Sequence, residues 1–309
     1  MEITADRSKV RSLNPTTTIF FIVTPLLTAL SLWFYTRASG VHVGDIILFL
    51  VMLAFSGLSI TAGYHRLYAH RTYRGNRFMQ VFYLLAGAAS FEQSALVWAS
   101  DHRNHHKFVD QDQDPYNIKK GFFWAHIGWI FHVSPPRDFQ NAPDLTSDPL
   151  VMLQHRYYVP IASAVCFVLP MLAGLCYGHP FGGLLWGGLL RMVVFHHLTF
   201  LINSAAHVVG NQPYSNKHSG RDSWWLALFI FGEGFHNYHH TFPGDYRLGI
   251  RWWQFDPGKW LIRASEALGL ASHVNRTSPR RIENALASTQ SVHAMEQMAL
   301  PSIEEVSAA

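Results

Sequence analysis

The chain has 309 residues, 49% hydrophobic and 14% charged, with a formal net charge of +4 and a mean hydropathy of +0.06. That mean conceals long apolar runs alternating with polar, histidine-rich stretches, a pattern that argues against a soluble protein with buried core helices. The only cysteines, Cys166 and Cys176, share one apolar run, which excludes a disulfide framework and a thiolate metal site.

Four apolar runs, residues 18–36, 46–64, 157–178 and 181–203, are each near the roughly 20 residues that a helix needs to cross the bilayer's hydrocarbon. Asp6, Arg7, Lys9 and Arg11 precede the first run, whose end from Trp33 to Arg37 lacks the small residues of a cleaved secretory signal. Phe78 to Ala99 is also apolar but is broken by Gln80, Gly87, Ser90, Glu92, Gln93 and Ser94. It reads as a helix in or under the membrane surface, because a fifth crossing would part the first two histidine clusters. Trp98, Trp124, Trp129, Trp224, Trp225, Trp252, Trp253 and Trp260 suit the interface, where an amphipathic indole is comfortable.

Basic residues set the expected orientation. The links after the first and third runs hold only Arg37, whereas residues 65–155 carry Arg66, Arg71, Arg74, Arg77, Arg103, Lys107, Lys119, Lys120 and Arg137. Both termini, and a helical cap made of residues 65–156 and 204–277, are therefore expected on the cytosolic side. The positive charge is accounted for by this bias and by anionic lipid headgroups, and needs no nucleic acid. Residues 1–277 read as one all-α integral membrane domain, followed by a polar tail, 278–309, expected as a solvated helix or partly disordered.

The chemistry lies in histidines at the edges of the runs. His102, His105 and His106 fall at i, i+3 and i+4, which puts them on one helix face, and His236, His239 and His240 repeat that spacing. Two such faces can converge on a metal pair from opposite sides. His65 and His70 are five apart and do not share an α-helical face, so a helix end is expected there that turns both rings inward. Eight imidazoles without cysteine exceed what one zinc needs. Neutral imidazoles with open positions suit iron and dioxygen, although zinc would accept the same ligands. His42, His126, His132, His155, His179, His218, His273 and His293 read as surface or packing residues, and His196 and His197 as partners of Arg191 or of a backbone carbonyl.

These clusters, in this order, resemble those of the membrane fatty-acyl desaturases of the stearoyl-CoA desaturase type. So do Asp101-His-Arg-Asn-His-His-Lys-Phe108, Asp114-Pro-Tyr-Asn117, Gly121-Phe-Phe-Trp-Ala-His-Ile-Gly-Trp129, Asn203-Ser-Ala-Ala-His207 and Gly232-Glu-Gly-Phe235. The resemblance runs from about Thr18 to Leu270. It implies four transmembrane helices under a cytosolic cap, two iron ions with O2 as co-substrate, and a kinked tunnel for a saturated acyl chain. It also implies a ninth metal-binding imidazole, His207, with Asn203 reaching the metal through water. Asp101, Asp110, Asp114, Asp222 and Glu233 are candidates to orient the imidazoles through their free N–H groups. The implied reaction is cis desaturation, at the Δ9 position. Lys119 and Lys120 are candidates to meet a phosphate-rich headgroup.

Ser100 stands where animal acyl-CoA desaturases generally have an arginine, so both acyl-CoA and acyl-lipid remain open as substrate. Electrons are expected from a separate ferredoxin, cytochrome b5 or NAD(P)H-dependent reductase. The short N-terminus reads as bacterial, which would place the chain in the inner membrane. Two rival readings are a related di-iron hydroxylase or alkane monooxygenase, and a metal transporter or sensor. The Asn-Ser-Ala-Ala-His stretch favours desaturation over hydroxylation. Clustering of the boxes at one membrane face argues against transport, which needs ligands near mid-membrane.

Overall fold

The computed structural model describes residues 12–299. The flank from Asp6 to Arg11, the end of the tail from residue 300, and the side chain of His293 lie outside the described residues.

Four helices are long and apolar enough to span a membrane: α1 (Pro15–Ser39), α2 (Val43–Ala69), and two that follow the first half of the cap, Tyr158–Leu175 and Pro180–His207. Each overlaps one of the four apolar runs. The first starts where Asn14 accepts the amides of Thr16 and Thr17 at 3.1 and 3.3 Å, ahead of Pro15 in the first turn. Its outward side chains, among them Leu26 and Phe34, are exposed by 65% and 63%, an apolar surface suited to lipid rather than water.

Alternating spans put the start of α1, the end of α2, the start of Tyr158–Leu175 and the end of Pro180–His207 on one side. Contacts agree: the Asn14 amide donates to Phe131 O at 2.8 Å, and Thr17 Oγ1 to Ile130 O at 2.7 Å. On the other side only two short links remain, where His42 and His179 stack with ring centroids 3.5 Å apart.

The cap comprises β1 (Arg74–Gly75), α3 (Arg77–Ala88), α4 (Ala95–Phe108), α5 (Phe122–His126) and α6 (Pro149–Arg156), then, with the third and fourth spans as α7 and α8, α9 (Trp224–Phe229), α10 (His236–Thr241), α11 (Pro257–Ala267), β2 (Ala271–Ser272) and α12 (Pro279–Ala299). The strands β1 and β2 pair antiparallel, Arg74 with Ser272. The apolar stretch 78–99 is therefore not a fifth crossing. It breaks after α3 into a turn where Phe91 and Gln93 hold φ values of 60° and 80°.

The last eleven residues of α2, Ser59–Ala69, wind as a π-helix and are buried throughout. Its i→i+5 bonds widen the turn and bulge the backbone, a geometry common at functional sites. Interlocking glycines and tyrosines seat it: a Cβ on Gly87 would lie 2.4 Å from Tyr64 Cε1, and one on Gly63 2.7 Å from Tyr83 Cβ. Arg103 closes the helix end by donating to Ala69 O and Tyr68 O at 2.9 and 2.8 Å while pairing with Asp144. Arg66, fully buried, ties the same segment to Asp256 at 2.7 Å and to Tyr246 O at 3.0 Å. The site thus sits on a rigid base.

Candidate metal centre

Nine histidines converge beneath the cap in two groups. His65, His70, His102, His106 and His239 form one; His105, His207, His236 and His240 form the other, with ligand atoms within 4.8 Å inside each group. Both i, i+3, i+4 boxes straddle the two groups, whereas His65 and His70 belong wholly to the first. On α4, His102 and His106 face the first while His105 faces the second; on α10, His239 faces the first and His236 and His240 the second.

The π-winding explains the pair that α-helical spacing cannot. The His70 amide bonds to His65 O at 3.0 Å, an i→i+5 contact that stacks residues five apart, so the two rings lie 4.8 Å apart. The expected helix end is also there, at His70, but it is the wide turn before it that brings the rings together.

Spacing within the groups tests the fit to metal. Nε2 atoms face each other at 2.9 Å for His65–His239, 2.8 Å for His70–His102 and 2.9 Å for His239–His106. In the second group His105–His240 is 3.2 Å, and His236 lies 3.1 Å from both His207 and His240. Nitrogens about 2.1 Å from one metal and at right angles would be about 3.0 Å apart, the edge of a five- or six-coordinate site. The observed contacts match that edge.

Protonation matches too. Burial, reinforced by neighbouring imidazoles, holds His70, His102, His106, His236, His239 and His240 well below the usual histidine range, so their nitrogens are free to ligate at neutral pH. Carboxylates fix the tautomers of others. His65 Nδ1 donates to Glu233 at 2.9 Å and His105 Nδ1 to Asp114 at 2.9 Å, leaving each Nε2 as a lone pair. His207 Nδ1 donates to Ser219 Oγ at 2.7 Å, and the Ser219 amide donates to Asp110 at 2.7 Å.

The other two carboxylate candidates serve differently. Asp222 accepts the Asn237 and Tyr238 amides at 2.8 and 3.0 Å, holding the start of α10. Asp101 pairs with Arg137 at 2.8 and 2.7 Å and so orients no imidazole.

Beside the groups lies a cavity of about 310 Å³, lined by polar residues such as Asn14, Asp101 and Arg137 and by apolar ones such as Phe21, Ile60 and Phe200. His65 and His102 of one group, and His105 and His236 of the other, face it together with Asn203. Lys119 and Lys120 are exposed beyond its lining, the latter 5.6 Å from the Trp124 ring. Ser100 is buried and donates to Asn141 at 2.8 Å, so it faces packing rather than a ligand.

The profile of the family described as fatty acid desaturase matches residues 44–274. The chain belongs to the fatty acid desaturase family. It is 45% identical over 240 residues to the probable acyl-CoA desaturase of Schizosaccharomyces pombe, covering 77% of this chain and 50% of that one. It is 38% identical over 259 residues to acyl-CoA desaturase 1 of Saccharomyces cerevisiae, covering 82% and 51% respectively. Similarity to human stearoyl-CoA desaturase 5 is 39% over 245 residues, covering 76% and 73%. This desaturase-family chain thus spans about half the length of the fungal relatives.

Among residues assigned a packing role from sequence, His196 bonds Ser90 O at 2.9 Å, whereas His197 pairs with His126 at 3.1 Å instead of Arg191 or a carbonyl. Sequence reasoning missed three features of the candidate site. His218 lies 5.2 Å from His240, and Arg137 and Glu92 both line the cavity. None carried a spacing signal, since each reaches the site through a loop.

Proposed function

We propose that this chain is an oxygen-dependent fatty-acyl desaturase, acting on acyl-CoA and introducing a cis double bond at Δ9. The observation that carries the reading is that four imidazoles from two convergent groups face one cavity whose lining also includes Phe21, Ile60, Phe91, Val97 and Phe200. The names of the relatives support acyl-CoA as the carrier and stearoyl-CoA as a saturated substrate. His65, His70, His102, His106 and His239 would hold one iron, and His105, His207, His236 and His240 the other, with Asn203 near through water. Iron bound there would supply dioxygen activation and removal of two hydrogens from adjacent methylenes.

The overall change balances as one saturated carbon–carbon bond, O2, two electrons and two protons giving an alkene and two waters. The two electrons come from a separate donor, a ferredoxin, cytochrome b5 or NAD(P)H-dependent reductase. The protein's own work is positional. Glu233, Asp114 and the Ser219–Asp110 pair lock ring orientations. Phe21, Ile60, Val97 and Phe200 exclude water along the chain. Arg137 in the cavity lining, with the exposed Lys119 and Lys120 outside it, would meet the headgroup phosphates, so that the headgroup fixes one end and the cavity wall selects the carbon. The cap faces the cytosol in this reading, following the basic residues.

Fatty-acid profiling of cells expressing the chain or His105→Ala, with double-bond mapping, tests this. A new Δ9 monounsaturated acid only with the wild type is expected. Hydroxylated products, or equal product from the variant, would overturn it.

A further inference from the structure

Glu92 is a carboxyl in an apolar place. It lines the cavity together with Phe21, Ile60, Phe91 and Val97. Its neighbours on both sides, Phe91 and Gln93, are non-glycine residues in the left-handed region, at φ 60° and 80°. Such conformations cost about 1–3 kcal/mol each and persist only where the surroundings hold them. Here they are held: Tyr158 Oη accepts the Gln93 amide at 3.0 Å, Ser90 Oγ accepts the Glu92 amide at 3.3 Å, and the Phe91 ring stacks on Phe20 at 5.9 Å. The turn therefore fixes this side chain in the cavity wall.

Its charge has little support there. Oε2 accepts the Trp98 indole N–H at 3.3 Å and Oε1 has no hydrogen-bond partner within 3.5 Å, which leaves the Thr199 hydroxyl as the other polar support for the charged form. Among the described residues no ion pair reaches Glu92. The nearby guanidinium, on Arg191, donates to Gly187 O at 3.1 Å, Ala89 O at 2.6 Å and Cys166 Sγ at 3.1 Å. His196 is engaged with Ser90 O, Tyr158 with Gln93, and Tyr64 with Gln154. Burial pushes the Glu92 carboxyl up to about 8, against smaller opposing effects of the Thr199 hydroxyl, the Trp98 indole and Arg191. An acyl chain would remove the solvent that remains, and an unpaired carboxylate in that setting costs several kcal/mol. The neutral acid avoids that cost.

We propose that Glu92 is a specificity-determining residue whose carboxyl must carry a proton for an acyl chain to fill the cavity. This rests on the acyl-chain reading of the cavity above. Below the raised range the acid form dominates and the cavity is competent; as pH rises through it, the ionised form accumulates and binding is lost. With the midpoint at about 8, roughly nine-tenths of the protein is competent at pH 7 and about 3% at pH 9.5, so affinity falls about 30-fold.

The experiment is equilibrium binding of radiolabelled stearoyl-CoA to detergent-solubilised, iron-loaded protein, without oxygen or reductant, from pH 7 to 9.5. The wild type is expected to lose about 30-fold in affinity with a one-proton slope, whereas Glu92→Gln and Glu92→Met change less than about twofold. Two substitutions are used so that a folding defect in one, read by size exclusion and iron content, does not decide the result. Wild-type affinity that is flat with pH, or an equal fall in a folded variant, overturns the proton requirement and leaves the acyl-chain reading standing. Absence of stearoyl-CoA binding by the wild type at every pH overturns both.

Discussion

Removing the Glu233 carboxylate should unseat one metal and spare the other. Glu233 accepts His65 Nδ1 at 2.9 Å and the Thr61 hydroxyl, and lies 3.9 Å from Arg66. His65 Nε2 in turn lies 2.9 Å from His239 Nε2, so the carboxylate sets where one edge of the five-imidazole group falls. In Glu233→Ala the His65 ring loses its anchor and the buried Thr61 hydroxyl its acceptor. Partners of this kind contribute about 10–100-fold to metal affinity, which is about 1.4–2.7 kcal/mol. Glu233→Gln keeps an acceptor oxygen without the charge and should fall near tenfold, the lower end of that range. The assay is anaerobic iron loading of purified protein, then competition with a graded chelator and metal counting per chain. The expected curve has two steps, the first moved to lower chelator concentration and the second, from the four-imidazole group, in place. Two irons held with wild-type resistance in both variants would refute the assignment of Glu233 as the carboxylate that orients His65.

Asp114→Asn should do the converse, shifting the second step by about tenfold, because His105 Nδ1 donates to Asp114 at 2.9 Å; chelator competition reads this directly. Gly87→Ala would push a methyl to within 2.4 Å of Tyr64 Cε1 against the π-wound segment, and should cost about 1–3 kcal/mol, seen as a lower Tm. In metal-free protein, burial holds His70, His102, His106, His236, His239 and His240 below their unfolded value of about 6.5, so the unfolded chain takes up protons first on acidification. Stability should therefore be full above about pH 6.5 and fall below it, by at most about 1.4 kcal/mol per imidazole per pH unit. A thermal-melt series from pH 7.5 to 5.5 checks the sign.

The spans and the two i, i+3, i+4 boxes were legible because lipid and a helix face impose periods that a sequence cannot hide. His65 and His70 were legible as residues but not as geometry, since the π-winding of Ser59–Ala69 follows from tertiary packing of Gly63 and Gly87 against tyrosines distant in sequence. The division of each i, i+3, i+4 box between the two histidine groups was equally hidden: one helix face says which rings point together, not where two groups divide them. Asp101 shows the same limit for charge, because its choice of Arg137 over an imidazole depends on a loop closing across 36 residues. Glu92 was read only as an interruption in an apolar stretch. Its position in the cavity wall follows from two strained neighbours that no local preference announces.

The unequal groups bear on where a substrate would meet the site. One has five imidazoles and the other four, and Asn203 faces the cavity with His65 and His102 of the larger group and His105 and His236 of the smaller. A site with fewer protein ligands keeps more of its coordination open, which is how catalytic metals differ from structural ones. If Asn203 orients water beside that open position rather than ligating, its loss should leave metal content intact and act on turnover. Asn203→Ala is expected to keep both steps of the chelator curve while lowering turnover about fivefold, the effect of one ordinary hydrogen bond of about 1 kcal/mol. Loss of the second metal in Asn203→Ala would instead make Asn203 a direct ligand and the two groups equal in number. Unchanged turnover would place the open position away from this wall of the cavity.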